Sequence, residues 1–151
     1  MFKLVFAFFV MIIAVSCKQN MRPVLAPEYL HHENALQVIT SVINNRDSTI
    51  SIIYGNDRAI DFARNKQSLH RAGEKYVMVT SAQKPMPHWY GTNMNGVVLT
   101  VEYVTTISDK GGSVVLDYKI QHNNPGAVVG ESFGNISRVE FITSQQAAVI
   151  P

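Results

Sequence analysis

From Ile50 to Ala63 the chain reads ISIIYGNDRAIDFA, and the period of its apolar positions changes part-way. Up to Tyr54-Gly55 the residues are β-branched and alternate as in a strand. After Asn56 and Asp57, Ala59, Ile60 and Ala63 share one helical face, Phe62 lies nearby, and Arg58, Asp61 and Arg64 point outward. The pattern predicts a strand over 49–54, a tight corner and a helix over 57–65. Asn56 can cap that helix through its side-chain oxygen.

The same reading extends along the chain. In 33–44 (ENALQVITSVIN), Leu36, Ile39 and Ile43 stand at helical spacing, with Ala35, Val38 and Val42 alongside and Glu33 suited to a helix start. A helix is expected there; the abundance of Val, Ile and Thr makes a strand the alternative. Asn45-Arg46-Asp47 reads as a turn and 65–73 as a polar loop. In 75–83, Tyr76, Met78 and Thr80 alternate with Val77, Val79 and Ser81, as a strand requires. Prolines, glycines and asparagines make 84–96 a loop, with His88-Trp89-Tyr90 at its centre. Strands over 97–106 and 113–121 flank the hairpin turn Ser108-Asp109-Lys110-Gly111-Gly112. In the second, Val115, Asp117 and Lys119 face one way and Val114, Leu116, Tyr118 and Ile120 the other. A loop over 122–132 precedes a helix over 135–148, with Ile136, Val139 and Thr143 on its stripe and Phe141 and Ile142 off it.

Helix, strand, helix, three strands, helix is an α+β order. Because hairpins join most of the strands, the sheet should be antiparallel with helices packed against it.

The first residues belong to targeting rather than to the fold. Lys3 precedes an apolar run over 4–15, too short to span a bilayer but suited to the core of a signal peptide. Ala14-Val15-Ser16-Cys17 resembles a bacterial lipobox, which implies cleavage before Cys17 and a lipid on its sulfur. The alternative is an ordinary secretory signal with an incidental cysteine. On the lipoprotein reading, residues 1–16 are the signal peptide, 17–29 a lipidated tether with Pro23 and Pro27, and 30–151 the folded domain in the bacterial cell envelope. Cys17 is the sole cysteine, so disulfides, thiolate zinc sites and cysteine nucleophiles are excluded from the domain. The formal net charge is +2 and drops by one without Lys3. A near-neutral chain argues against nucleic acid as a partner and leaves the membrane, reached through the lipid, as the expected one.

Several strings resemble the cytochrome P460 family. They are Ser51-Ile52-Ile53-Tyr54-Gly55-Asn56-Asp57-Arg58-Ala59, Tyr76-Val77-Met78-Val79, Pro87-His88-Trp89-Tyr90-Gly91, Val101-Glu102-Tyr103-Val104 and the segment from Ser144 to Pro151. The resemblance covers the chain from about Leu36 onward and implies a curved antiparallel sheet flanked by helices. It also implies a covalent haem on Cys-x-x-Cys-His near the C-terminal end. Here the corresponding stretch, Arg138 to Gln146, holds neither cysteine nor histidine. The c-type haem therefore does not carry over, and no cofactor is expected on that ground. A binding or structural module is the leading expectation, its ligand unspecified. An oxidoreductase holding haem non-covalently is the alternative.

Among candidate side chains, His88, Trp89 and Tyr90 are the densest cluster. Such a loop can wall a pocket in which His88 ligates a metal or a haem, or it can be a loop pinned by Trp89. His31 and His32 beside Glu33 read as solvated, and His70 and His122 as loop residues without acidic neighbours. Asp57, Arg58, Asp61 and Arg64 have the spacing of helix surface pairs. Glu102, between Val101 and Tyr103, is expected to face outward. Facing inward, it would become a candidate acid or base. No catalytic residue or metal site is assigned.

Overall fold

A computed structural model describes residues 35–65, 69–86, 91–123 and 135–148. The elements run β1 (Gln37–Asn44), β2 (Thr49–Gly55), α1 (Asp57–Asn65), β3 (Lys75–Pro85), β4 (Asn93–Ser108), β5 (Val114–His122) and α2 (Asn135–Thr143). The five strands form one open antiparallel sheet in the order β1-β2-β3-β4-β5. Each strand pairs with its sequence neighbour, and α1 is carried in the connection between β2 and β3. Among the described residues the architecture is mainly β, with two short helices.

Alternation decides which side chains meet the helices. Ile53, Tyr76, Met78 and Val104 point to one face, where they form a buried cluster with Ile39, with Ala59, Ile60 and Ala63 of α1, and with Ile142 of α2. Val77, Val79 and Val101 form a second buried cluster on the opposite face, with Leu36, Tyr54, Val98 and Tyr103 partly buried around it. β3, at the middle of the sheet, is thus buried on both sides from Tyr76 to Ser81.

The corner after β2 is built as the sequence indicates. Asn56 Oδ1 accepts from Ala59 N and Lys75 N, each at 3.1 Å, and its Nδ2 donates to Gly73 O at 2.8 Å. One side chain therefore caps α1 and ties it to the start of β3. Gly55 lets the helix approach closely: a Cβ there would stand 2.6 Å from Ile39 Cδ1 and 2.9 Å from the Ala59 Cβ. In the hairpin turn, Gly112 has φ +81 and donates to Asp109 O at 2.9 Å.

Five expectations are corrected. The segment 33–44 is not a helix where it is described: Gln37–Asn44 is a strand paired with β2. Its register shifts between Val38 and Thr40. That bulge sends Ile39 into the helix-side core, where it is 1% exposed, and the shifted position mimics helical spacing. The loop over 84–96 is shorter than expected, because Lys84 and Pro85 pair with Met94 and Asn93. His122 ends β5 opposite Thr100 rather than lying in a loop. α2 stops at Thr143, and the residues after it run as a strap, with Ala147 N donating to Ala63 O and Ala148 N to Ile39 O. The stripe that α2 buries contains Ile142 and Thr143, whereas Phe141 is exposed.

Candidate functional site

Among the described residues two carboxylates, Glu102 and Glu74, are buried on the helix-bearing side of the sheet, and each is engaged by several donors. Glu102 of β4 faces inward and is 0% exposed, against the expectation of an outward face. Arg138 of α2 meets it with both edges of its fork: Nε donates to Oε2 at 3.1 Å and Nη2 donates to Oε1. The Tyr118 hydroxyl of β5 donates to Oε2 at 2.7 Å. Burial pushes the Tyr118 phenol up to about 12, helped by its hydrogen bond to Glu102 and by the charge of that carboxylate. Burial alone would lower the Arg138 guanidinium; its hydrogen bonds and attraction to Glu102 outweigh this and hold it above its ordinary value. With its acceptors taken by a cation and a phenol, Glu102 serves to dock α2 on the sheet.

The second carboxylate is Glu74, just before β3 and 1% exposed. It accepts from Arg71 N at 2.6 Å, Tyr76 Oη at 2.9 Å and His70 Nδ1 at 2.7 Å. Its own backbone is fixed by Thr106: Glu74 N donates to Thr106 Oγ1 at 2.8 Å, and that hydroxyl donates to Arg71 O at 2.6 Å. Burial, together with the hydrogen bond to Glu74 and its charge, lifts the Tyr76 phenol far above the usual phenol range. His70 is therefore not without an acidic neighbour, as its loop setting suggests.

The His70 ring is held on three sides. It stacks on Phe62 of α1 with centroids 4.0 Å apart and meets Tyr76 edge-on at 6.4 Å. Its Nδ1 is committed to Glu74, and Nε2 has no hydrogen-bond partner among the described residues. At 22% exposure the ring still reaches the surface. There it lines a cavity of about 320 Å³ between α1 and the C-terminal strap. Phe62 and Ala63 form one wall. Glu140, Thr143, Ser144, Gln145 and Gln146 form the other. An imidazole oriented by a buried carboxylate, in a cavity of mixed polar and apolar lining, can accept or donate one directed hydrogen bond through Nε2. A larger hollow of about 510 Å³, lined in part by Leu36, Asn56, Lys75, Val77 and Tyr103, holds no such pair.

The side chains singled out from sequence are distributed differently. Cys17, His31, His32, His88, Trp89 and Tyr90 lie outside the described residues. Asp57, Arg58, Asp61 and Arg64 are on the exposed face of α1, as expected, with Asp57 accepting from Gln37 Nε2 at 3.1 Å. His122 is exposed at the end of β5. Sequence reasoning misses Glu74, and it does not pair Arg138 with Glu102. The available signal for Arg138 is its place one turn from Ile142 on a short helix. Glu74 gives none, since Gly73-Glu74-Lys75 reads as a surface turn. Among the described residues no group of three or more His, Cys, Asp or Glu is placed to hold a metal ion. No helix among them is long and apolar enough to cross a membrane.

No protein-family model matches this chain, and a search of curated proteins returns no match.

Proposed function

We propose that this chain is a lipid-anchored protein of the bacterial cell envelope whose domain binds a small polar molecule between α1 and the C-terminal strap. The observation that carries the binding site is the His70–Glu74 pair, an imidazole with one nitrogen fixed by a buried carboxylate and the ring lining a surface cavity. The cavity has the size of a site for a small metabolite rather than a large one. The anchor rests on the apolar run over 4–15 and on Cys17 after Ala14-Val15-Ser16. Kinship with the cytochrome P460 family, without its covalent haem, rests on the strings quoted above. An antiparallel sheet with helices on one face is compatible with it.

A second reading, an oxidoreductase with non-covalent haem, is favoured by one feature. A histidine whose far nitrogen is held by a carboxylate is how proteins commonly orient a metal-ligating imidazole. The wall facing His70 includes Glu140 and Gln146, which can hydrogen-bond a small polar molecule. The test is ligand-observed NMR with mixtures of amino acids, short carboxylic acids and sugars, on the wild-type protein and on His70→Ala. Compounds contacting the wild type but not the variant are expected. If no compound depends on His70, the binding site is refuted. If added haem gives a Soret band that vanishes in His70→Ala or His88→Ala, the oxidoreductase reading replaces it.

A further inference from the structure

The two edges of the sheet are not alike. β1 is interrupted by its bulge, and its Ile39 carbonyl already accepts from Ala148 N. β5 has neither protection. It pairs with β4 without a register shift from Val114 to His122 and contains no proline. Its outer backbone groups have no partner among the described residues. Edge strands of this kind are templates for pairing unless blunted. β5 also exposes apolar side chains on both faces: Val114, Leu116 and Ile120 on the helix side and Val115 on the other, beside the exposed Ile107 of β4.

The sequence of β5 fits one partner well, namely itself. Let a second β5 run antiparallel alongside, with Tyr118 opposite Tyr118 of the other copy. Leu116 then stands opposite Ile120 and Ile120 opposite Leu116, on the helix side. On the other face Asp117 stands opposite Lys119 and Lys119 opposite Asp117. Within one copy these two charges already lie 3.4 Å apart and are well exposed, so each is available to the neighbouring strand. The register suits the backbone as well. Residues 117 and 119 share one hydrogen-bonding direction and 118 has the other, so a two-fold axis at 118 produces a regular antiparallel ladder whichever set points outward. Apolar pairs, both charge pairs and the symmetry axis thus agree on a single register, as an isologous interface requires.

We propose that β5 is a homodimerisation edge, joining two copies into one continuous ten-stranded antiparallel sheet with Asp117 and Lys119 of each copy paired across the axis. The test is a charge-swap set, measured by sedimentation velocity on the full chain as isolated from the expressing cells. Wild type should dimerise. Lys119→Asp places two acidic residues opposite each other at both ends of the ladder core, and Asp117→Lys places two basic ones. Each variant alone should raise the dissociation constant by about tenfold or more, the size expected when two cross-strand charge pairs turn from attraction to repulsion. An equimolar mixture of the two variants should dimerise again, because one copy then carries an acid at both positions and the other a base at both. The double variant Asp117→Lys/Lys119→Asp should also dimerise. Both positions are exposed, so circular dichroism should show every variant folded. A wild type that stays monomeric up to about millimolar concentration would overturn the proposal. So would a dimer indifferent to all four charge arrangements.

Discussion

Arg138 is the side chain whose removal should do most damage relative to its apparent exposure. Replacing it by Met keeps much of the aliphatic stem but takes the guanidinium from Glu102, which is 0% exposed and among the described residues would keep only the Tyr118 hydroxyl. Breaking one side of a buried ion pair costs about 3–5 kcal/mol, because the remaining charge is stranded. Arg138 is only 19% exposed, so solvent screening reduces this little, and a loss of about 3 kcal/mol is expected. For a domain stabilised by roughly 5–15 kcal/mol this is a large fraction. With a urea slope of about 1–3 kcal/mol/M, the unfolding midpoint should fall by about 1–3 M. The assay is urea unfolding at neutral pH followed by far-ultraviolet circular dichroism. The companion variant Glu102→Leu/Arg138→Met removes both charges and should be more stable than Arg138→Met alone, since no unpaired carboxylate remains. A loss below about 1 kcal/mol for the single variant would refute the reasoning. A double variant no better than the single one would do the same, because the penalty would then not come from a stranded charge.

Other consequences can be measured separately. Tyr118 and Tyr76 both have phenols raised above 10.0 in the folded state, so their contribution is complete below that pH and is lost as pH rises through the folded values. Stability should therefore fall between pH 10 and about 12, and Tyr118→Phe should flatten that decline; an unchanged slope would remove Tyr118 from the account. Gly55→Ala drives a methyl into Ile39 and Ala59 and should cost about 1–3 kcal/mol in thermal or urea unfolding; a cost near zero would mean that α1 shifts outward freely. The Thr100 hydroxyl is buried and finds no partner among the described residues, so Thr100→Val should leave stability equal or raise it by up to about 1 kcal/mol. Cys17→Ala should abolish palmitate labelling and membrane association; persistent labelling would exclude the lipobox.

What can be read from sequence depends on whether a signal is local. The stripe Ala59, Ile60, Ala63 and the cap at Asn56 lie within a few residues of one another, and α1 forms where they indicate. The alternation of Tyr76, Met78 and Thr80 against Val77, Val79 and Ser81 likewise places β3, and Gly111-Gly112 the β4–β5 turn. β1 reads as a helix because a bulge breaks its alternation, leaving Leu36, Ile39 and Ile43 at spacings a helix would share. Its β-branched residues carry the right answer, since pairing with β2 satisfies them better than a lone helical stripe does. The polar centres are harder to see. Glu102 sits in a strand where either face is possible, and the arginine that makes the inner face tolerable is supplied by α2, 36 residues away. Glu74 draws on Thr106, 32 residues distant. Such pairings are set by tertiary closure, and no periodicity announces them.

The strap that follows α2 also bears on how the domain is assembled in time. Ala148 N bonds to Ile39 O and Ala147 N to Ala63 O, so segments separated by a long stretch of chain are fastened together. Among the described residues each strand pairs with its sequence neighbour, so the sheet can grow strand by strand as the chain appears. β1 is different: its bulged carbonyl and the buried Ile39 beside it gain their last partners only when residues 147–148 arrive. Until then β1 is the least secured of the described strands. A nascent or translocating chain should therefore keep a protease-sensitive leading edge until synthesis has passed the strap, while β2 to β5 are already ordered.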